Sequence, residues 1–196
     1  MRALILAGGS GSRLSLGEKP LVMVDGVPMI ARIIAAFEMA GCEVVVVLSP
    51  RTPFTLNWCR AHDILHYAAS GTGYVEDIIE TVEALGETAP VFTSVSDIPC
   101  IVPGIITDIW EQYIASGRDA CSVWVPLSFF DRNGCRASYV RKVDGIDACP
   151  AGINILNGSR ITVPQDEIQV LVKDRRLAFN INTQEELTRV RQFLEG

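Results

Sequence analysis

One short stretch narrows the folds open to this chain more than any other. The apolar run Ala3-Leu4-Ile5-Leu6-Ala7 passes directly into Gly8-Gly9-Ser10-Gly11-Ser12-Arg13-Leu14, and Glu18-Lys19-Pro20 follows shortly after. A continuous apolar run that ends in glycines reads as a strand buried on both faces, as parallel sheets covered by helices require. Three glycines at the strand end permit a tight turn and let backbone N–H groups approach an anion closely. Arg13 and Lys19 place two positive charges beside that turn. A polyphosphate is the natural ligand of such a constellation; a plain glycine turn with two solvated basic residues is the alternative.

Other glycine loops fit less well. The dinucleotide fingerprint has Leu14 where its third glycine belongs, and it gives Arg13 and Lys19 no role. A P-loop needs Gly-Lys-Ser/Thr, whereas Lys19 stands between Glu18 and Pro20. A dinucleotide oxidoreductase and a P-loop kinase are therefore poor readings.

The rest of the chain suits an α/β domain. Its 196 residues are enough for one domain with a sizeable core, and 48% are hydrophobic. A net charge of −6 and a pI near 4.9 argue against general nucleic-acid or anionic-membrane partners. No apolar run approaches a membrane span, and a strand within two residues of the N-terminus leaves no room for a signal peptide. Six widely spaced cysteines without a C-x-x-C pair read as reduced thiols of a cytoplasmic protein.

Strand and helix patterns alternate, which implies a mostly parallel sheet with helices on both faces. Strands are expected at 43–48, 64–68, 90–95, 120–125 and 178–181. Helices are expected at 28–41, at 74–85 with Val75, Ile78, Ile79 and Val82 inward, and at 104–116. A last helix follows the capping box Thr183-Gln184-Glu185-Glu186. The stretch from Pro126 to Gly158 reads as loops and short antiparallel strands. His62 and His66 could share a helix face, but no third metal ligand stands near them.

Asp97 closes the strand at 90–95. A carboxylate at the C-terminal edge of a parallel sheet faces the ligand crevice and is placed to hold a Mg²⁺ that bridges phosphates; a turn aspartate ahead of Pro99 is the other reading. The backbone amides of Ser70-Gly71-Thr72-Gly73, between a strand and a helix, could read a base edge or a phosphate. Glu76 and Asp77 just beyond sit in a first helical turn, where acids are favoured anyway; one of them could instead accept N–H bonds from a guanine. Gly152, inside a strand pattern, suggests close approach of a ligand to the backbone.

The loop matches L-A-G-G-x-G-x-R-[ML] with a following lysine, so the chain resembles the nucleotidyltransferase superfamily of sugar-nucleotide pyrophosphorylases and molybdenum-cofactor guanylyltransferases. Four segments bring it nearest to the archaeal GTP:adenosylcobinamide-phosphate guanylyltransferases. They are the Arg13-to-Pro20 segment, Ser70-Gly71-Thr72-Gly73-Tyr74-Val75-Glu76-Asp77, Pro150-Ala151-Gly152-Ile153-Asn154 and Phe179-Asn180-Ile181-Asn182-Thr183. Ser15 departs from the glycine common after the Arg-Leu pair.

The resemblance implies a Rossmann-like, nucleotide-diphospho-sugar transferase-like single domain. It makes Leu6, Ala7, Gly8, Gly9, Gly11, Ser12, Arg13, Lys19, Ser70, Gly71, Thr72 and Gly73 the nucleotide-binding residues. It gives Arg13, Lys19 and Asp97 the catalytic roles, Asp97 and Asn182 (with Asn180 as the alternative) the Mg²⁺, and Gly152 and Asn154 the acceptor. The implied partners are GTP and adenosylcobinamide phosphate, and a homodimer is one assembly open to the chain. Transfer to a molybdopterin or a phosphosugar, and GTP binding without turnover, are the competing expectations.

Overall fold

The computed structural model describes residues 1–9, 16–135 and 139–195. The expectations for Gly11, Ser12 and Arg13 lie outside the described residues. The chain opens with β1 (Arg2–Leu6), a small hairpin of β2 (Met23–Val24) and β3 (Val27–Pro28), α1 (Met29–Met39) and β4 (Glu43–Leu48). It continues through α2 (Pro53–Ala61), β5 (His66–Ala68), α3 (Tyr74–Ala84), β6 (Pro90–Val95) and α4 (Pro103–Ser116). Then come β7 (Ala120–Pro126), α5 (Leu127–Asn133), β8 (Arg141–Val143), β9 (Ile146–Asn157), β10 (Glu167–Leu171) and α6 (Gln184–Glu195).

The main sheet runs in the order β10-β7-β9-β6-β1-β4-β5, with β8 paired to β9. The pairs of β1 with β4 and β6, β4 with β5, and β10 with β7 are parallel, whereas β9 runs antiparallel between β6 and β7. Alternation along the central strands sends side chains to two cores. Ala3, Ile5, Val44 and Val46 meet α1, α4 and α6 through Ile33, Phe37, Ile106, Ile109 and Val190. Leu4, Val45, Val47 and Val91 meet α3 through Ile78 and Val82. An edge-to-face contact between Phe37 and Phe92, 5.7 Å between centroids, locks α1 onto β6.

Three expectations need correction. Residues 178–181 form no strand: a 3₁₀ turn (Arg175–Ala178) leads into a loop there, and the late strand is Glu167–Leu171. β7 takes that strand as its parallel partner, so the apolar residues at 177–181 serve as packing rather than pairing. Val75 is exposed, because it lies on the solvent side of the first turn of α3. His62 ends α2 while His66 begins β5, so the two share no helix face.

All six cysteines are buried and free. Burial pushes the Cys100 and Cys121 thiols up to about 12 and Cys59 up to about 11, from an ordinary 9.0. A thiol with a higher pKa folded than unfolded contributes its full stability below the unfolded value and loses it as the pH rises through the folded one. Stability is therefore expected to hold below about pH 9 and to fall from there toward about pH 12. Chemical denaturation at stepped pH measures this, and a flat profile across that window would contradict it.

Candidate nucleotide site

At the C-terminal edge of the sheet, Leu6 of β1 is paired with Val47 of β4 on one side and Val95 of β6 on the other. From β1 the chain moves outward to β4 and β5, then returns to the opposite flank of β1 as β6. The crevice above β1 is thus the point where strand order reverses, the usual ligand position in open α/β sheets. A cavity of about 280 Å³ opens there, lined by Leu6, Gly8, Gly9, Val47, Gly71, Gly73, Tyr74 and Val95 and by the polar groups of Lys19, Arg51, Asp77, Ser96 and Asp97.

Lys19 begins a 3₁₀ turn (Lys19–Leu21) whose Pro20 is buried. Its Nζ donates to Asp97 Oδ2 at 2.5 Å and to Asn182 Oδ1 at 2.7 Å. Asp97 is set by the end of β6, and its carbonyl accepts from the Ile181 N–H at 2.9 Å. That bond ties the end of β6 to the segment leading into α6. The Glu186 carboxylate accepts from the N–H groups of Asn182 (2.7 Å) and Thr183 (2.9 Å), and Thr183 Oγ1 accepts from the Glu186 N–H at 3.2 Å. This is the reciprocal capping box read from the sequence, here also fixing Asn182. Asn180 Oδ1 accepts from Asn182 Nδ2 at 3.0 Å, which leaves Asn182 Oδ1 for Lys19.

Asp97 Oδ1 is buried and has no hydrogen-bond partner among the described residues. An unpartnered buried carboxylate oxygen suits a hard cation, and the other oxygen of that carboxylate meets the same Lys19 amine as the Asn182 amide oxygen. No group of three His, Cys, Asp or Glu side chains among the described residues could cage a metal. A Mg²⁺ there would take its remaining ligands from substrate phosphates and water, as this ion commonly does. The donor set fits the ion on those terms.

The 70–73 loop packs tightly against the β4–α2 junction. Gly71 has φ +73°, and a Cβ there would lie 3.1 Å from Ser49 Cβ and 3.2 Å from Pro50 Cδ. Its N–H donates to Asp77 Oδ1 at 3.0 Å, so Asp77 folds the loop onto the first turn of α3. Ser70 turns to Glu80, donating from both its N–H and hydroxyl, and holds that carboxyl below its usual range. Thr72 is exposed and Ala7 is buried in the core; neither lines the cavity.

Beyond Tyr74 lies a second cavity of about 330 Å³, walled by Tyr74, Ile79, Thr93, Asn154, Leu156, Ile161 and Val163. Tyr74 borders both cavities. Burial pushes its phenol up, and on the same wall Asn154 Nδ2 donates to Thr93 Oγ1 at 3.4 Å. Asn154 thus faces the second space, whereas Gly152 lies against Val95 at the wall of the first. Arg51 and Tyr74 were missed as site residues in the sequence. Arg51 could have been found by inspecting the residues just past each parallel strand, since it stands three residues beyond the end of β4.

The MobA-like NTP transferase domain matches this chain over residues 3–195. The chain is 27% identical over 198 residues to the adenosylcobinamide-phosphate guanylyltransferase of Methanocaldococcus jannaschii, covering 95% of this chain and 94% of that one. A hypothetical transferase from Thermus thermophilus shares the fold with a TM-score of 0.74 at 16% identity, over 95% of this chain and all of that one. CMP:2-keto-3-deoxy-manno-octonic acid synthetase complexed with CTP gives 0.72 at 14% identity, over 99% and 98% of the two chains. The crevice at the strand-order reversal and the match over almost the whole length agree, and this chain belongs to the MobA-like NTP transferase domain family.

Proposed function

We propose that this chain transfers GMP from GTP to adenosylcobinamide phosphate, giving adenosylcobinamide-GDP and pyrophosphate. The observation that carries the chemistry is the convergence of Lys19, Asp97 and Asn182 beside the cavity at the ends of β1, β4 and β6. The guanine and the corrinoid are supported by the named relative, matched along nearly the full length of both chains.

In this reading an oxygen of the acceptor's terminal phosphate forms a bond to the α-phosphorus of GTP. The bond from that phosphorus to the oxygen bridging to the β-phosphate breaks, and its electron pair leaves with pyrophosphate. The nucleophile is already an anion, so no general base is required, and positioning with charge neutralisation supplies the catalysis. The glycine loop offers backbone N–H groups to the triphosphate. Lys19, together with Arg13, neutralises charge that builds on the leaving pyrophosphate. Asp97 and Asn182 would hold Mg²⁺, which supplies further charge neutralisation across the phosphates when bound. Until phosphates arrive, Asp97 and Asn182 hold the Lys19 amine at the site. Gly152 lets β9 come close to the acceptor side, and Asn154 with Tyr74 faces the space open to the acceptor's bulk.

The test is pyrophosphate release from each of the four NTPs with Mg²⁺, with and without adenosylcobinamide phosphate. Release from GTP that requires the corrinoid is expected. Release that ignores the corrinoid or prefers another acceptor overturns the acceptor assignment. Failure to bind any NTP overturns the phosphate site itself.

A further inference from the structure

Glu18 stands immediately before Lys19 and does not line the nucleotide cavity. Its carboxylate instead closes the start of α2. Oε1 accepts from the Phe54 N–H at 2.8 Å, and Oε2 accepts from the Thr55 N–H and the Thr55 hydroxyl, both at 2.6 Å. Helix starts leave their first N–H groups without intrahelical partners, and a side chain of the preceding residue commonly fills the gap. Here Thr52, the residue before the helix, makes no such bond, and Pro53 has no N–H to offer. The missing cap comes from a residue more than thirty positions upstream. A carboxylate at that end also meets the positive pole of the helix.

The opposite foot of the glycine loop stands on the same junction. The Ser49 hydroxyl donates to the Gly8 carbonyl at 2.7 Å, and the Arg51 N–H donates to Ser49 Oγ at 3.1 Å. The short stretch between the end of β4 and the first turn of α2 therefore holds the chain at residue 8 and again at residue 18. One residue beyond that second hold, Lys19 reaches Asp97 and Asn182.

We infer that Glu18 is a positioning residue: it docks the chain on the N-terminus of α2 and thereby holds the Lys19 amine where it meets Asp97 and, on the reading proposed above, the phosphates. It touches neither nucleotide nor metal. A charge-assisted hydrogen bond to a helix start is directional, so its loss lets the segment before Lys19 drift without emptying any core.

A double-mutant cycle on the full chain tests this, with GTP affinity measured calorimetrically in the absence of acceptor. Glu18→Gln is expected to weaken GTP binding about tenfold, and to change it less than about twofold when Lys19→Ala is already present. Thr55→Val, which removes one of three donors and keeps the side-chain volume, is expected to shift affinity in the same direction by less. In a second measurement, acylation of Lys19 followed by mass spectrometry in nucleotide-free protein should run several-fold faster in both variants. Equal losses in the two Lys19 backgrounds, or unchanged Lys19 acylation, would overturn the inference. A native chain that binds no GTP would instead sink the proposed function, and the acylation result would still decide the role of Glu18.

Discussion

Asp97→Asn lowers pyrophosphate release by about 100- to 1,000-fold while the protein stays folded; that is the expected result if the site works as its geometry indicates. The substitution keeps the shape of the side chain and removes its charge. Oδ2 is the oxygen that receives Lys19, and Oδ1 is the buried oxygen without a partner among the described residues. Burying a carboxylate oxygen without a partner costs free energy, which a bound cation at the site would offset. Asn182 Oδ1 still accepts from Lys19 in the variant, so the stability cost should stay at about 1.5–3 kcal/mol, that of one hydrogen bond to a charged group. Lys19→Ala should match the loss of turnover, since it removes the amine from the same triad. Turnover close to native in either folded variant, measured beside a thermal melt, would contradict the assignment of both residues.

Gly152→Ala should destabilise the fold strongly through both its backbone and its packing. Gly152 has φ +73° and sits where the pairing of β7 with β9 shifts register, between Ser122 and Trp124. A Cβ there would lie 2.6 Å from Val95 Cγ2 and 3.0 Å from Cγ1. Left-handed backbone costs an L side chain about 1–2 kcal/mol, and forcing a methyl into packed space adds about 1–3 kcal/mol. The expected loss is therefore about 2–5 kcal/mol in chemical denaturation. Val95 lines the nucleotide cavity, so displacing it should also weaken GTP binding. Adding Val95→Ala should return the steric part and leave the backbone part. A Gly152→Ala protein as stable as native would show that β9 can relax there, and the close-approach argument would fail.

Local patterns made much of the scaffold readable. The apolar run of β1, the β-branched run of β4 and the helical spacing in α1, α3 and α4 are properties of neighbouring residues, and each element formed within a few residues of its expected bounds. The capping box at Thr183 is equally local. α2 went unread because its apolar residues do not line one buried face, with Phe54 exposed and Thr55 buried, and because its start is capped by Glu18 from a distant part of the chain. β10 was misplaced because it stands at the sheet edge beside β7, half-buried and with little alternation of its own, while the more apolar 178–181 segment looked like a better strand than it is. The central antiparallel position of β9 depends on pairing with β6 and β7 at once, which no local period encodes.

The site divides along the same line. By itself the sequence determined the buried first strand that ends in Gly8 and Gly9, the charge of Lys19 and the carboxylate just beyond a later strand, because burial pattern and charge are set by residue type. Only the tertiary structure decided that Lys19 meets Asp97 across 78 positions and Asn182 across 163, that Arg51 joins them at the cavity, and that Glu18 serves a helix rather than a ligand. Strand order is the physical reason. Placing β1 between β4 and β6 brings the ends of three distant strands to one edge, and residues far apart in the chain become neighbours there.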